Sequence, residues 1–376
     1  MENIILVIIG FLLATVMGQM IIPKILLISL RKRLFDIPDE RRVHTHPVPR
    51  LGGVTFFPTI LFVLCLIMSY RIILNHFPNS LFTMRIAGEF LGLIAGLTLL
   101  YIIGIGDDLV GVRYLKKFII QIISASFFPL MGIYINNFYG FLGIYSLSPF
   151  IGIPLTMLLT IFITNAINLI DGIDGLASSI CIIALGVFGL IFALDEMWIF
   201  SLLSFTCVGV LLPFFAYNVF GNAQRGKKIF MGDTGSLTLG YILSFLVIKY
   251  CMYTGVKAIP GYSGVIAIAF SILLVPCLDV IRVVLGRIKR HANPFLPDKT
   301  HIHHKFMAMG FSPRHALVLI QIMSLTFIAI AALMVYYFKI NTNIIFAFEI
   351  TTWTGLNIWF SKIIRNKQNT HLCQPH

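Results

Sequence analysis

Long apolar runs separated by short polar segments dominate this chain. The runs repeatedly reach about 20 residues, the length that a helix needs to cross a membrane, and they lack the period-two alternation of a membrane β-barrel. We predict an all-α fold, a polytopic transmembrane helical bundle of about eleven spans. The predicted spans are 3–23, 51–74, 87–105, 117–135, 151–168, 176–193, 198–217, 235–252, 262–284, 315–338 and 343–361.

The composition agrees with a membrane protein, because 58% of the residues are hydrophobic and only 11% are charged. The net charge of +13 is spread over short loops between spans, so we expect no nucleic-acid binding. If the segment after the first span is cytoplasmic, most of the 28 Lys and Arg lie on the cytoplasmic side. The positive-inside rule then places the N-terminus outside and the C-terminus in the cytoplasm.

One integral membrane domain is predicted over residues 1–361, followed by a basic cytoplasmic tail over residues 362–376. No internal repeat or long linker divides the chain. The six cysteines sit singly and form no CxxC pair, so we assign them to packing rather than to a metal or a disulfide.

Five polar clusters interrupt the apolar runs, and the predicted threading places all of them on one side of the membrane. A carboxylate near the centre of a spanning helix costs about 2.5–3.5 kcal/mol on insertion scales, so carboxylates at helix ends usually have a function. We therefore interpret the clusters as one active site at a membrane surface. They are Asp107-Asp108, Asn165 through Asp174, Asp233, His301 through His304, and the basic segment Arg31 to Arg50.

The first cluster, Asp107-Asp108, ends the third span and is followed by Lys116 and Lys117. Two carboxylates about 4 Å apart repel by roughly 4 kcal/mol at an effective dielectric constant of 20. The pair therefore needs a cation, a shared proton or bulk water. A metal–phosphate site supplies such a cation, and the alternative is an ordinary solvated helix end.

The second cluster places a polar side chain at every third residue. At this spacing the side chains lie on neighbouring parts of one helical face and point toward one cleft. Alternatively, Gly172 and Gly175 break the helix, which still leaves the oxygens grouped. A capped helix end without function is the third interpretation. The cluster consists of Asn165, Asn168, Asp171 and Asp174.

The third cluster, Gly232 through Ser236, opens the eighth span with Asp233 and Thr234. Asp, Thr and Ser at a helix start are also ordinary N-cap residues, so a structural role is an alternative. A helix N-terminus also favours anions, and glycines let a phosphate approach the backbone. We expect Asp233 to hold a metal while the same turn faces a pyrophosphate.

The fourth cluster lies in the longest predicted inner loop. Three histidines in four residues are compatible with a transition-metal site, but no nearby cysteine or repeated acid completes a tetrahedral set. Donation from imidazole and guanidinium groups to phosphate and sugar oxygens fits better. Asp279 and Arg282, just before this loop, are interpreted as a helix-stabilising ion pair. The candidate residues are Arg290, His301, His303 and His304.

Oxygen ligands without thiols favour Mg²⁺, with Mn²⁺ as a substitute, over zinc or copper. A site at the inner surface, flanked by hydrophobic helices, meets soluble anions from the cytoplasm and lipid-soluble partners from the bilayer. Mg²⁺ would neutralise a diphosphate, basic side chains would take its remaining charge, and a carboxylate would control the proton at the nucleophile. This chemistry describes transfer of a phosphosugar from a nucleotide diphosphate to a lipid phosphate.

The clusters resemble, in order, the motifs of the polyprenyl-phosphate N-acetylhexosamine-1-phosphate transferases, a glycosyltransferase family. The resemblance runs from about Arg41 to Gly310, and Arg42 through Gly53 extends it to the first inner loop. It implies transfer of a sugar 1-phosphate from a UDP-N-acetylhexosamine to undecaprenyl phosphate, with Mg²⁺ as cofactor and UMP as leaving group. The motifs are Gly106-Asp107-Asp108, Asn165 through Ala177, Gly232 through Ser236, and His301 through His304.

The resemblance implies a role for each motif residue. Asp233 and Asn168 correspond to the metal ligands. Asp107 corresponds to a base near the lipid phosphate, and Asp108 to its acidic partner. Lys117 matches a lysine that contacts phosphate, and its neighbour Lys116 is the alternative if the alignment is shifted by one. The acidic positions near the nucleotide are Asp171 and Asp174, and further substrate-binding positions are Asn165, Arg290, His301, His303 and His304.

Two details favour the subgroup that starts O-antigen, common-antigen, teichoic-acid or capsule glycans over the phospho-MurNAc-pentapeptide translocases. His-Ile-His-His stands in place of the three consecutive histidines of the translocases, and Pro-Arg-Leu-Gly-Gly in place of Pro-Thr-Met-Gly-Gly. The resemblance implies GlcNAc as the sugar and a bacterial plasma membrane location, with the site facing the cytoplasm. A cation or proton transporter is disfavoured because the charges crowd at one surface. The oligomeric state, a homodimer included, stays open.

Overall fold

The structure is a computed structural model that describes residues 1–34, 48–73, 80–252, 264–291 and 300–372. Almost all of its regular structure is helical, as predicted. The helices are α1 Glu2–Lys32, α2 Phe56–Ile73, α3 Ser80–Val110, α4 Tyr114–Leu130, α5 Pro149–Ile170, α6 Leu176–Leu194, α7 Trp198–Val219, α8 Gly232–Met252, α9 Gly264–Ile272, α10 Leu274–Lys289, α11 Ile302–Ala308, α12 Pro313–Ala332 and α13 Thr342–Leu372.

Eight helices within the described ranges are long and apolar enough to cross a membrane, and α9 with α10 forms a ninth span if this pair, bent by 72°, counts as one. These nine coincide with nine of the predicted spans. The other two predicted spans fall on α4, which has 17 residues, and on α13, whose apolar run contains Glu349 and Asn357. The all-α membrane fold is confirmed, whereas the count of eleven and the orientation stay predictions.

Three short features depart from the predicted pattern of helices and loops. An antiparallel hairpin of β1, Asn137–Phe141, and β2, Ile144–Ser146, joins α4 to α5. A 3-10 turn over Gly52–Thr55 precedes α2, and a π-helical turn over Leu333–Tyr337 follows α12. In addition, α13 continues to Leu372, so residues 362–372 of the predicted tail are helical.

Helix α8 lies at the centre of the bundle, in contact with α3 and α5. Every residue from Thr234 to Ile248 is buried. Glycines allow its neighbours to come close, as they do in other membrane helix pairs. A Cβ on Gly104 of α3 would lie 2.6 Å from the Cα of Thr234, and one on Gly240 would lie 2.6 Å from the Cα of Thr164 on α5. The end of α3 is thereby held against the start of α8.

The segment after the first inner loop is joined to the segment before α8 by backbone hydrogen bonds. Gly52 N–H donates to Phe230 O at 2.9 Å, and Gly53 N–H donates to Met231 O at 2.8 Å. A Cβ on Gly53 would lie 2.2 Å from the Cα of Gly235. The Gly52-Gly53 pair is therefore required by the close backbone contact with α8.

We predict that Gly53→Ala destabilises the protein, because the added methyl group overlaps the backbone of α8. Overpacking of this kind costs about 1–3 kcal/mol, so the thermal unfolding temperature in detergent should fall. Gly186→Ala on α6 is the matched control, since a Cβ there has no atom within 4 Å and Ala favours a helix. Equal unfolding temperatures for the two variants would contradict the close contact.

Candidate active site

The carboxylate of Asp108 caps the N-terminus of α8 from a different helix. One oxygen accepts the Asp233 N–H at 2.8 Å, and the other accepts the Thr234 N–H at 3.0 Å and the Thr234 hydroxyl at 2.6 Å. The first N–H groups of a helix have no partner within the helix, and a negative charge is favourable there. Both oxygens of Asp108 are thus engaged in holding the turn that carries Asp233.

Asp107, the neighbouring acid, faces a different environment that is centred on Lys117. Its first oxygen accepts the Val112 N–H at 2.7 Å, and its second lies 3.2 Å from the Lys117 ammonium. The same ammonium lies 2.8 Å from an oxygen of Asp233, and the two carboxyl groups also contact each other. Side chains from α3, α4 and α8 therefore meet at one point, which we call the acid–lysine cluster: Asp107, Lys117 and Asp233.

Lys116 lies outside this cluster. Its side chain is exposed and lines a cavity of about 650 Å³ together with Arg113 and the apolar residues Ile103 and Val110. Of the two lysines that the sequence offered, the structure therefore brings Lys117 to the carboxylates and leaves Lys116 at the adjoining surface.

The two asparagines of the second motif lie in different surroundings. Asn168 donates to the Ser236 hydroxyl at 2.8 Å and contacts the Asp233 carboxylate, so it borders the acid–lysine cluster. Asn165, one turn earlier, donates to the Gln121 side chain at 2.7 Å. This bond joins α5 to α4, and the structure therefore places Asn165 within the bundle rather than at the cluster.

Helix α5 ends at Ile170 and α6 begins at Leu176, so the predicted break at the glycines is present. Asp171 is exposed in this break and interacts electrostatically with Asp233 and Asp174. Asp174 forms an ion pair with Lys228, from the segment between α7 and α8. Asp171 thus lies near Asp233 of the cluster, whereas Asp174 has a cationic partner outside it.

Asp279 joins the histidine motif to α10. The predicted ion pair with Arg282 is present, with a distance of 2.7 Å. The same carboxylate, which is fully buried, lies 2.8 Å from Nδ1 of His301 and accepts the Ile302 N–H at 3.0 Å. Asp279 is therefore more than a helix-stabilising partner, because it also anchors the start of α11.

His303 is buried against the loop that carries Asp171. Its side chain is 1% exposed, and neither ring nitrogen has a hydrogen-bond partner within the described residues. A Cβ on Gly172 would lie 2.3 Å from Nε2 of His303, so only glycine admits the ring here. Burial, with smaller contributions from His304 and His301, lowers the pKa of His303 to about 3. The imidazole is therefore neutral at physiological pH.

The remaining candidates are less closely associated with the cluster. The ring of His304 lies 4.2 Å from that of His303, measured between centroids. Arg290 is exposed at the end of α10, and its Nε donates to Gly286 O of the same helix at 3.1 Å. Residues 35–47 of the basic segment Arg31 to Arg50 lie outside the described residues.

Gln121, Lys228 and Ser236 are among the residues of this region that were not assigned to the site from the sequence, and Ser236 lies within the third motif. Gln121 is four residues after Lys117 in an otherwise apolar helix, and this spacing was the available signal. Lys228 belongs to the segment 225–228, Arg-Gly-Lys-Lys, which resembles any solvated basic loop. Their partners come from distant parts of the chain, so only the fold reveals them.

The fold and the acid–lysine cluster are those of a polytopic membrane protein in which two carboxylates, a lysine and an amide meet at one end of the bundle, an arrangement suited to a cation and to anionic groups. Residues 90–251 match the model of glycosyl transferase family 4. A relative from Bacillus subtilis (strain 168), named a probable undecaprenyl-phosphate N-acetylglucosaminyl 1-phosphate transferase, is 30% identical over 327 residues, which cover 87% of this chain and 84% of the relative. The chain belongs to this family, as the motif resemblance predicted.

Two other relatives extend the comparison. The undecaprenyl-phosphate alpha-N-acetylglucosaminyl 1-phosphate transferase of Escherichia coli (strain K12) is 28% identical over 306 residues, covering 81% of this chain and 77% of the relative. The decaprenyl-phosphate N-acetylglucosaminephosphotransferase of Mycolicibacterium smegmatis is 30% identical over 312 residues, covering 78% and 74%. The similarity therefore includes most of each protein rather than the motifs alone.

We predict that Lys117→Ala lowers sugar-phosphate transfer at least about 100-fold, the usual effect of removing a charged donor from a preorganised site. Without the ammonium, Asp107 and Asp233 face each other uncompensated. Lys116→Ala, the matched neighbour, should retain activity within a few-fold. The measurement is initial transfer rate at equal amounts of folded protein, and a larger loss for Lys116→Ala would contradict the geometry.

Proposed function

We propose that this protein transfers N-acetylglucosamine 1-phosphate from UDP-N-acetylglucosamine to undecaprenyl phosphate, releasing UMP and forming an undecaprenyl-diphosphate sugar. The convergence of Asp107, Lys117 and Asp233 carries the proposal, because distant parts of the chain meet to form a charged site beside apolar helices. The names of the Bacillus and Escherichia relatives supply the sugar and the undecaprenyl acceptor. This reaction is the first membrane step of a cell-surface glycan.

Mg²⁺, with Mn²⁺ as a substitute, fits the donor set of the cluster. Asp107 and Asp233 offer carboxylates, and Asn168 offers an amide. Among the described residues, no three or more His, Cys, Asp or Glu are grouped to hold a metal by themselves. This suits Mg²⁺, which usually binds one or two carboxylates together with substrate phosphates. When bound, the ion would neutralise the diphosphate of the donor.

The proposed chemistry is a single displacement that exchanges one phosphorus–oxygen bond for another. An oxygen of the lipid phosphate attacks the phosphorus that carries the sugar, and the bond from this phosphorus to the UMP oxygen breaks. Lys117 donates to the phosphate oxygens and offsets their charge. Asp107 accepts a hydrogen bond from the Val112 N–H, which orients its carboxylate. This carboxylate either accepts the proton of the attacking phosphate or keeps that phosphate ionised.

The histidine motif is consistent with a substrate that carries many hydrogen-bond donors and acceptors, such as a sugar diphosphate. His303 brings two unpartnered ring nitrogens to the loop of Asp171. Buried polar atoms in proteins normally have partners, so these nitrogens fit a bound sugar or diphosphate. Asp174 follows in the same loop as Asp171, and its ion pair with Lys228 from the segment before α8 fits the nucleotide.

We further propose that the site faces the cytoplasm at the bacterial plasma membrane. Helices α3 and α5 end, and α4 and α8 begin, at the end of the bundle that carries the site. Gly226, shortly before α8, lies close to Leu30 near the basic end of α1, because a Cβ on Gly226 would be 3.1 Å from the Leu30 side chain. The positive-inside rule places such an end in the cytoplasm, where soluble UDP-sugars are present.

The proposal is tested by incubating the purified protein with Mg²⁺, undecaprenyl phosphate and a panel of UDP-sugars. We expect UMP release with UDP-N-acetylglucosamine that requires both the lipid and the metal, and much less with UDP-glucose or UDP-MurNAc-pentapeptide. Asp107→Asn and Asp233→Asn should abolish release while the protein still inserts and folds. Vesicles that moved ions but released no UMP from any UDP-sugar would instead support a transporter.

A further inference from the structure

We propose that Asp279 is a positioning residue that fixes His301 in the tautomer with its proton on Nδ1 and thereby presents Nε2 to the substrate. This inference rests on the proposed function. It concerns a residue that the motif comparison leaves unassigned, because Asp279 precedes the histidine motif by 22 residues and lies on another helix.

The hydrogen-bond pattern around Asp279 determines the tautomer. The carboxylate receives a hydrogen bond from Arg282 and another from the Ile302 N–H, and both groups are obligatory donors. Both donors bind the same oxygen, and the charge of the adjacent guanidinium favours the ionised form of the carboxylate, which only accepts. Nδ1 of His301, 2.8 Å from the second oxygen, must therefore carry a hydrogen. Nε2 is then the ring nitrogen that remains for a substrate.

Burial makes this contact restrictive. Asp279 is fully buried and His301 is 6% exposed, so water does not readily replace either partner. Arg282 also donates to Thr300 O, directly before His301. The guanidinium and the carboxylate together hold the backbone on both sides of the histidine, which fixes the ring in one place.

The orientation of His301 is passed to the rest of the motif. The rings of His301 and His303 are nearly parallel, with an interplanar angle of 4° and centroids 5.8 Å apart. His303 in turn rests on Gly172, next to Asp171. A displaced His301 would therefore disturb the ring that faces the acidic loop.

The other end of α11 is held separately. Lys305 donates to the side chain of Asn357 at 3.1 Å and to the Ser361 hydroxyl at 3.0 Å, both on α13. The helix therefore keeps an anchor if Asp279 is changed, and Asp279→Asn should alter the histidine while α11 stays docked.

The first experiment compares Asp279→Asn, His301→Ala and the double variant by steady-state UMP release. We expect Asp279→Asn to lower kcat about 10- to 100-fold, as loss of an orienting partner typically does. In the His301→Ala background the same change should alter kcat less than about twofold, because a residue that acts through His301 has no further effect once His301 is gone. Equal losses in both backgrounds, or no loss in the single variant, would overturn the proposal.

The second experiment tests which ring nitrogen of His301 meets the substrate. It leaves Asp279 intact, so it remains informative if Asp279→Asn does not fold. A Gln side chain places its amide near the position of Nε2, whereas Asn places it near Nδ1. We expect His301→Gln to retain at least about tenfold more activity than His301→Asn, because Nε2 is the atom that meets the substrate. The reverse ranking would contradict the assignment.

Glu349→Gln is the matched control for loss of a buried carboxylate. Glu349 is also fully buried and accepts a hydrogen bond from Ser271, but it lies on α13 and its partner is on α9, before the bend. This variant should keep kcat within about twofold of the wild type. Wild-type protein that releases no UMP would refute the proposed function, whereas active wild type with unaffected Asp279→Asn refutes only the positioning role.

Discussion

The contact between the Asp108 carboxylate and the first N–H groups of α8 is the constraint on which the site depends. It joins the end of one membrane helix to the beginning of another and leaves no freedom in the turn that carries Asp233. Gly104 permits the approach, because a larger residue would meet the backbone of Thr234. The two adjacent acids thus have different roles. Asp108 holds the start of α8, and Asp107 lies in the acid–lysine cluster.

Lys117 makes the resulting arrangement of acids stable in the absence of substrate. Two carboxylates taken partly out of water are costly unless a cation compensates them, and the ammonium lies within 3.2 Å of both. Under the proposed function, the same charges bind a divalent ion together with the substrate phosphates.

Hydropathy predicted the fold well, because a membrane helix must be long and apolar whatever its neighbours are. It identified eight of the spans directly, but it did not reveal the 72° bend between α9 and α10, for which Pro276, three residues after the break, was the available signal. The motifs predicted which polar segments meet, because charged side chains at membrane helices are costly unless they are paired or functional. Asp107 and Asp233 are examples, and both lie in the acid–lysine cluster.

The division of roles within each motif was not readable from the sequence. Asp107 and Asp108 are chemically identical neighbours, and only their partners show that one caps α8 while the other faces Lys117. Similarly, Asn165 has the same residue type and motif as Asn168, yet its amide binds Gln121. Such distinctions depend on contacts between residues far apart in the chain, which local spacing does not encode.

Hydrogen exchange at the start of α8, measured by mass spectrometry for wild type and Asp108→Asn, tests the central claim most directly. The amides of Asp233 and Thr234 should exchange at least about tenfold faster in the variant, because their acceptor is weakened, and UMP release should fall with this protection. Activity lost with unchanged exchange at these amides would show that Asp108 acts chemically rather than by holding α8, and would contradict this account.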